Sequence, residues 1–329
     1  MKKTSIGGQA LIEGIMMKSP EKTALAVRTP QGEIDVTYLE QKSLKDKYKF
    51  LKLPVIRGVI SFIESMIQGY KAMMLSAEKS GFTDLEEEKE KKENTEKKEY
   101  SWLINTVMVI GSVLGVALSV VLFMLLPRLC VAGLEWLFKT EFSKFARSSI
   151  EQLLKLSVFV LYVWGVSFMK DIKRVFMYHG AEHKTIFCYE AGLPLTVENV
   201  RIQKRLHPRC GTSFMILMIL ISIIFSTIVQ MIFPSVYNLA WLWVIIKILL
   251  VPITCGVGFE VLKFCGKYDN LFTKIISAPG LWLQKITTKE PEDDMIEIAI
   301  SALKACEPET PDVDRNVDEE TNEENDDNI

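Results

Sequence analysis

Two long stretches of this chain carry no charge. Residues 100–127 and 210–246 contain no Asp, Glu, Lys or Arg, in a sequence that is 24% charged overall. About 20 apolar residues suffice for a helix to cross the hydrocarbon core of a bilayer, and a soluble fold able to bury such runs would need far more chain around them. Mean hydropathy is positive, +0.18, despite the charge content. Apolar and charged residues are therefore segregated along the chain, which excludes a collagen-like or wholly disordered polypeptide and a uniformly mixed soluble globule. The first run predicts a span over 102–126. The second is punctuated by Pro234 and Asn238 and splits into spans at 213–233 and about 240–262, the latter carrying Lys247. A weaker span covers 151–169, with Lys155 near one end, where it can snorkel.

Loop charges set the expected orientation. Residues 170–212 hold eight Lys or Arg, residues 127–149 hold four, and residues 234–239 hold none. The positive-inside rule puts 170–212 in the cytoplasm, with both termini on that side, a parity that four spans satisfy. The net charge of −2 conceals an acidic tail: Glu307–Ile329 has 11 acids against one base, Arg315, so the rest of the chain is net +8. A modestly basic body suits a membrane protein, and no nucleic-acid partner is expected. The six cysteines are scattered without a CxxC pair, which argues against a secreted disulfide framework. The opening residues lack the apolar core of a cleavable signal peptide.

The remaining segments have their own signatures. Residues 1–50 form a β-containing cytoplasmic segment. Thr23–Thr29 and Glu33–Leu39 are rich in β-branched residues and flank a Pro30–Gly32 turn, a hairpin signal. Gly7, Gly8 and Gly14 frame Gln9 and Glu13 in a polar turn. Within 51–80, Val55, Val59, Phe62, Ile63, Met66, Ile67, Tyr70 and Met73 recur at helical spacing opposite a polar face, an amphipathic helix that lies on the membrane or on the protein rather than crossing. Residues 81–100 are a charged linker, 101–290 the membrane domain, 291–306 a short docking helix, and 307–329 a disordered acidic tail. The fold class is thus an α-helical membrane protein of about four transmembrane helices plus an amphipathic helix, with a small β-hairpin-containing cytoplasmic segment.

The chemistry concentrates in one place. All three histidines, His179, His183 and His207, fall within 29 residues inside 170–212. On a helix, His179 and His183 share a face, with Glu182 beside them. The string His179-Gly-Ala-Glu182-His183 fits H-x-x-E-H. Two imidazoles at i and i+4 can hold one zinc, and the adjacent carboxylate can take a proton from water activated by it. His207 and Cys210, in His207-Pro-Arg-Cys210, supply further ligand types that suit zinc. Four ligands would make a closed, structural site; three would leave a position open for catalysis by Glu182. The alternative is that the histidines cap helices or pair with Glu182 and Glu190. Gln9, Glu13 and Glu190 are secondary candidates as ligands or supporting partners.

Other features read more plainly. Gly111 and Gly115 suggest a helix-packing face, as do Gly256 and Gly258. Arg201, Lys204, Arg205 and Arg209 fit positive-inside topology, or alternatively contact with anionic lipid headgroups.

Several strings then carry a resemblance: GGQALIEGIMMKSP near the start, VIRGV at 55–59, YHGAEHKTI at 178–186, HPRCGTSF at 207–214 and LWLQKITTKEP at 281–291. In this order, over about residues 5–306, the chain resembles the YqhQ-like family of bacterial multi-pass membrane proteins. The resemblance implies a bacterial cytoplasmic (inner) membrane location and a metal-dependent enzyme, and it points to His179, Glu182, His183, His207 and Cys210, with Gln9 and Glu13 secondary. It brings no substrate. The expected function is a zinc-type membrane hydrolase acting near the headgroup plane on a lipid or a membrane-protein segment. The alternative is a non-enzymatic, metal-stabilised membrane scaffold. A metal transporter fits less well, because such sites place ionisable groups near mid-membrane.

Overall fold

The structure is a computed structural model describing residues 4, 6–41, 43–44, 48–81, 110–111, 113–115, 117–233, 240–268 and 270–307. The charged linker, apart from its first residue, lies outside these residues, as do the start of the first span, the 234–239 connection and the acidic tail beyond Glu307.

Four strands open the chain: β1 Gly7–Leu11, β2 Gly14–Lys18, β3 Thr23–Arg28 and β4 Ile34–Leu39. They form an antiparallel meander in the order β1-β2-β3-β4. The expected hairpin is its second half, with Gly32 at φ 89° in the turn, a left-handed conformation that glycine adopts without steric cost. The first half departs from expectation. Gly7, Gly8 and Gly14 do not frame a loop: they lie in strands joined by a two-residue turn at Ile12 and Glu13, where Glu13 takes φ 49°. Gly8 and Gly14 permit close approach to Glu182 and to Ser76 rather than mark a turn, which hid the strands from pattern reading.

Helix α1, Ile56–Lys79, follows a 3-10 turn at Lys49–Lys52. Its buried residues are small: Gly58, Gly69, Ala72, Ser76 and Ala77. A π-helical turn, Val121–Leu125, leads into α2, Leu126–Phe138; then come α3, Lys144–Val166, and α4, Lys170–Glu190. A short α5, Val197–Arg201, precedes α6, Gly211–Ile232, and α7, Ala240–Lys267. Helices α8, Leu271–Thr287, and α9, Asp293–Cys306, close the described chain.

Four helices are long and apolar enough to cross a membrane: Val113–Phe138, Phe145–Val166, Gly211–Ile232 and Ile245–Lys267. Two boundaries differ from expectation. The first span does not stop at Leu126 but continues to Phe138, with Pro127 accommodated directly after the π-helical turn Val121–Leu125. The 127–149 loop thereby shrinks to 139–143. In α3, Lys155 is not near an end: it lies eleven residues from either terminus and pairs with Glu151 at 2.6 Å. Gly111 and Gly115 face nothing within 4 Å among the described residues. Gly256 does serve packing, lying against Val55 and Gly58 at the start of α1. Arg57 clamps α1 to α7 through two bonds to Glu260, at 2.6 and 2.5 Å.

Outside these spans, one core joins distant parts of the chain. Ile15, Met17, Ala24 and Ala26 of the sheet pack with Tyr178 and Ala181 of α4 and with Met295, Ile298, Ala299, Ala302 and Leu303 of α9. The 3–4 spacing on α9 gives a continuous apolar face. Cys306 Sγ donates to Met17 O at 2.7 Å and accepts from Ala24 N at 3.1 Å, fixing the end of α9 to the sheet. This core requires the sheet, α4 and α9 to lie on one side of any membrane the helices cross. Two crossings before α4 and two after it meet that requirement, and a fifth at α1 would break it.

Candidate metal centre

Helix α4 is buried without interruption from Tyr178 to Ile186, although the run includes His179, Glu182, His183 and Lys184. It lies against β1 on one side and, on the other, meets the 205–210 segment and the end of α8. Gly180 makes this possible: a Cβ there would overlap the Lys289 carbonyl oxygen. Lys289 N in turn donates to Phe176 O at 2.8 Å.

His179, His183 and Cys210 come together. One ligand atom from each lies within 4.8 Å of those of the other two, and all three residues are buried. His179 Nε2 is 3.1 Å from Cys210 Sγ, while its Nδ1 lies 2.9 Å from Thr287 O. His183 Nδ1 lies 2.5 Å from Arg205 O. A backbone carbonyl opposite a ring nitrogen requires a proton on that nitrogen, so both rings carry Nδ1–H, and the neutral form of each has its lone pair on Nε2. His183 Nε2 is buried with no hydrogen-bond partner among the described residues. Burial pushes His183 below its ordinary pKa, with His179 and His207 adding to the effect and Cys210 opposing it. Cys210 caps the N-terminus of α6 and accepts from Thr212 N. Burial alone would raise its thiol, but His183 and the Thr212 hydroxyl and amide bring it below the usual value. Two imidazoles held through Nδ1 by backbone carbonyls and a thiol with a lowered pKa, converging on an unsatisfied nitrogen, form a donor set that fits a divalent metal such as zinc.

Glu182 stands beside this group, outside the three-residue set. Burial raises its carboxyl to about 8, opposed by His179 and by the amides of Gly8 and Ala10. These two amides belong to β1, an edge strand whose other side pairs with β2. Glu182 thus occupies the open edge of the sheet, and Gly8 lets it approach: a Cβ there would fall 2.9 Å from Glu182 Cδ.

The other candidates lie elsewhere. His207 is adjacent, its ring centroid 5.6 Å from that of His183, but it does not join the ligand group. Its Nε2 faces Glu190 at 4.0 Å, its Nδ1 accepts from Arg209 N at 3.3 Å, and its ring rests on Phe187. Gln284 fixes the backbone on both sides, accepting from His207 N at 2.8 Å and donating to His207 O at 2.7 Å. Glu190 holds Arg209 and the Thr4 amide. Burial would raise its carboxyl, but His207, Thr4 and Arg209 overcome that and hold it at about 2. Glu13 grips Arg174 with two bonds, at 2.5 and 2.6 Å, and accepts from Tyr178 OH at 3.1 Å, one residue before His179. Gln9 packs on Gly69 of α1, on the far side of β1 from Glu182. The basic cluster is largely consumed within the protein: Arg201 pairs with Asp293, Arg205 with Glu290 and Arg209 with Glu190.

Sequence reasoning missed helix α8 and the carbonyls of Thr287 and Arg205. Backbone acceptors leave no side-chain signature. Gly8 and Gly180 were the available signals, each marking a place where another element comes too close for a side chain.

The fold and site define a helical membrane protein with a sheet-and-helix core outside the apolar spans and a buried His/His/Cys cluster that joins helix α4 to the start of α6. Residues 53–309 match a family described as "Protein of unknown function (DUF1385)". The chain is also 38% identical over 298 residues to "Uncharacterized protein YqhQ" of Bacillus subtilis (strain 168), covering 90% of each. The chain therefore belongs to this YqhQ-like family. No solved structure matches it.

Proposed function

We propose that the protein is a metal-dependent membrane hydrolase, with a zinc-type divalent ion held by His179, His183 and Cys210 and with Glu182 as general base. The observation that carries this reading is the buried, unpartnered Nε2 of His183 in a group whose ligand atoms lie within 4.8 Å of one another. Zinc on three protein ligands retains an open position and lowers the pKa of a water there to about 7. Glu182 would accept the proton. Burial raises its carboxyl to about 8, which keeps it protonated at neutral pH; the charge of a bound divalent ion beside it would lower that value and free the carboxylate to act as the base. The Gly8 and Ala10 amides hold its charged form in place, and the Thr287 and Arg205 carbonyls keep both imidazoles in the tautomer a ligand needs. The orientation of His207 toward Glu190 favours the three-ligand, catalytic arrangement over the closed structural one of a scaffold.

In the proposed topology the core and both termini face the cytoplasm of a bacterial inner membrane, as the Lys and Arg of 170–212 favour. Helix α1 would lie along the membrane surface. Its exposed Ile63, Met66, Ile67, Tyr70 and Met74 would meet the headgroup region, where such residues partition well. The site would then face substrates near that plane, a lipid or a segment of a membrane protein.

Metal content of the detergent-purified protein tests this. The expectation is about one zinc per chain in wild type, lost in His183→Ala and retained in Glu182→Gln, as for three ligands and a separate base. Absence of stoichiometric metal in wild type after zinc supplementation would refute the hydrolase. Metal lost in Glu182→Gln would make Glu182 a ligand and remove the base.

A further inference from the structure

A second polar cluster lies among the membrane helices and uses none of the residues of the His179 cluster. A cavity of about 500 Å³ is lined by residues preceding α2 and by α3, α6 and α7, with Gln152, Lys155 and Lys247 as its long polar side chains. Its remaining wall is largely apolar, with Phe159, Ile223 and Val251 among the lining residues. Lys155 is central in α3, about 16 Å from either end at 1.5 Å per residue. Lys247 lies seven residues into α7, about 10 Å from its start.

The charges do not balance. Lys155 is paired with Glu151 at 2.6 Å. The charged neighbours of Lys247 are Lys155, Glu151 and Arg128, and its ammonium sits 5.4 Å from the centre of the Trp243 ring. Among the described residues, the two lysines that line the cavity therefore share one carboxylate, that of Glu151. Charge in hydrocarbon persists where it faces a cavity or is paired, and the missing partner here is an anion. The apolar wall selects what carries it. A free inorganic anion would leave that surface uncovered, whereas a lipid would place its phosphate on the lysines and an acyl chain along Phe159, Ile223 and Val251. The volume falls within the range of small-ligand sites, about 300–1,000 Å³.

We infer that the cavity between α3, α6 and α7 binds an anionic phospholipid, with the headgroup phosphate on Lys155 and Lys247. The site is separate from the His179 cluster and stands whether or not that cluster binds metal.

The test is native mass spectrometry of the full-length, detergent-purified protein titrated with dioleoyl phosphatidylglycerol, dioleoyl phosphatidylcholine or inorganic phosphate. Phosphatidylglycerol should saturate at one lipid per chain and bind about tenfold or more tightly than phosphatidylcholine, the scale of one charge-assisted contact. The double variant Lys155→Met, Lys247→Met removes charge while keeping apolar bulk, and should lose that preference. Glu151→Gln frees Lys155 from its internal partner and should tighten phosphatidylglycerol binding, an opposite effect that misfolding does not produce. Equal binding of the two lipids, or an undiminished preference in the double variant, overturns the inference. Displacement of the lipid by millimolar phosphate would overturn the lipid assignment.

Discussion

Replacing Gly180 by alanine separates two expectations of opposite sign. Gly180 lies inside α4, and in an ordinary helix interior Gly→Ala stabilises by about 1 kcal/mol. Here the new Cβ would overlap the carbonyl oxygen of Lys289 and stand 3.4 Å from Pro291 Cδ. The carbonyl belongs to backbone anchored through Lys289 N to Phe176 O, so relief requires α4 and the 287–291 segment to separate. Overpacking of this kind costs about 1–3 kcal/mol. Backbone against backbone belongs at the upper end, and subtracting the propensity gain leaves a net loss of about 2 kcal/mol. The same displacement draws Thr287 O away from His179 Nδ1, now at 2.9 Å. Loss of such an orienting bond weakens metal binding by about 10–100-fold. The assay is denaturant unfolding in detergent, paired with chelator competition for zinc, with Gly165→Ala as control because nothing lies within 4 Å of that position. Unchanged or increased stability in Gly180→Ala would refute the close-approach argument. Unaltered zinc affinity beside reduced stability would refute only the link through Thr287.

Charge pairs of different burial should differ in kind. Arg209→Met strands the buried Glu190 carboxylate and should cost about 3 kcal/mol in equilibrium unfolding, whereas Arg201→Met, whose partner Asp293 is exposed, should stay within about 0.5 kcal/mol. Burial tends to raise the Glu13 carboxyl, but Arg174, Tyr178 and Arg28 hold it below the ordinary range. A depressed folded-state pKa contributes stability above the unfolded value and loses it as pH falls through the folded one. Glu13→Gln should therefore destabilise by about 1 kcal/mol at pH 7, and the gap from wild type should narrow below about pH 4; a gap independent of pH would refute the ionic account. Cys306→Ala removes the group that accepts from Ala24 N and should cost about 1–3 kcal/mol, read as a lowered denaturant midpoint.

The spans were legible because a bilayer imposes a length and a composition that few other structures share. Their boundaries were less so. The charge-free run closes before Arg128 and predicts a span ending at Leu126, yet the helix runs on to Phe138, since a single exposed Arg does not interrupt backbone hydrogen bonding. The second hairpin was legible through its β-branched strands and Pro-Gln-Gly turn, while β1 and β2 were obscured by glycines that serve α4 and the α1 face. At the site, H-x-x-E-H spacing placed His179, Glu182 and His183 on one face, because helix geometry is local. What separated Cys210 from His207 was not local. Cys210 caps α6 and so points at the helix that packs above it, whereas His207, three residues earlier, is held by Gln284 of α8 and turned toward Glu190. No sequence spacing between 207 and 284 encodes that choice.

The site is assembled from four segments that share no local structure: β1, α4, residues 205–210 and the end of α8. Two of them are continuous with membrane helices, since Cys210 opens α6 and α8 begins four residues after α7 ends. Gln284 ties these two together, bonding His207 and the hydroxyl of Ser213 at 2.8 Å, and Gly280 brings α8 against Ser213 closely enough that a Cβ would fall 2.6 Å from its side chain. The membrane helices therefore do more than anchor a soluble domain. Their ends set the positions of Cys210 and of the Thr287 carbonyl, while the sheet edge sets Glu182 through Gly8 and Ala10. A relative movement of α6 and α8 of even an ångström would alter the thiol and the His179 tautomer partner together, leaving Glu182 in place. Glu182 belongs mechanically to the soluble core and Cys210 to the bundle, with α4, which carries both histidines, as the element on which the two parts meet.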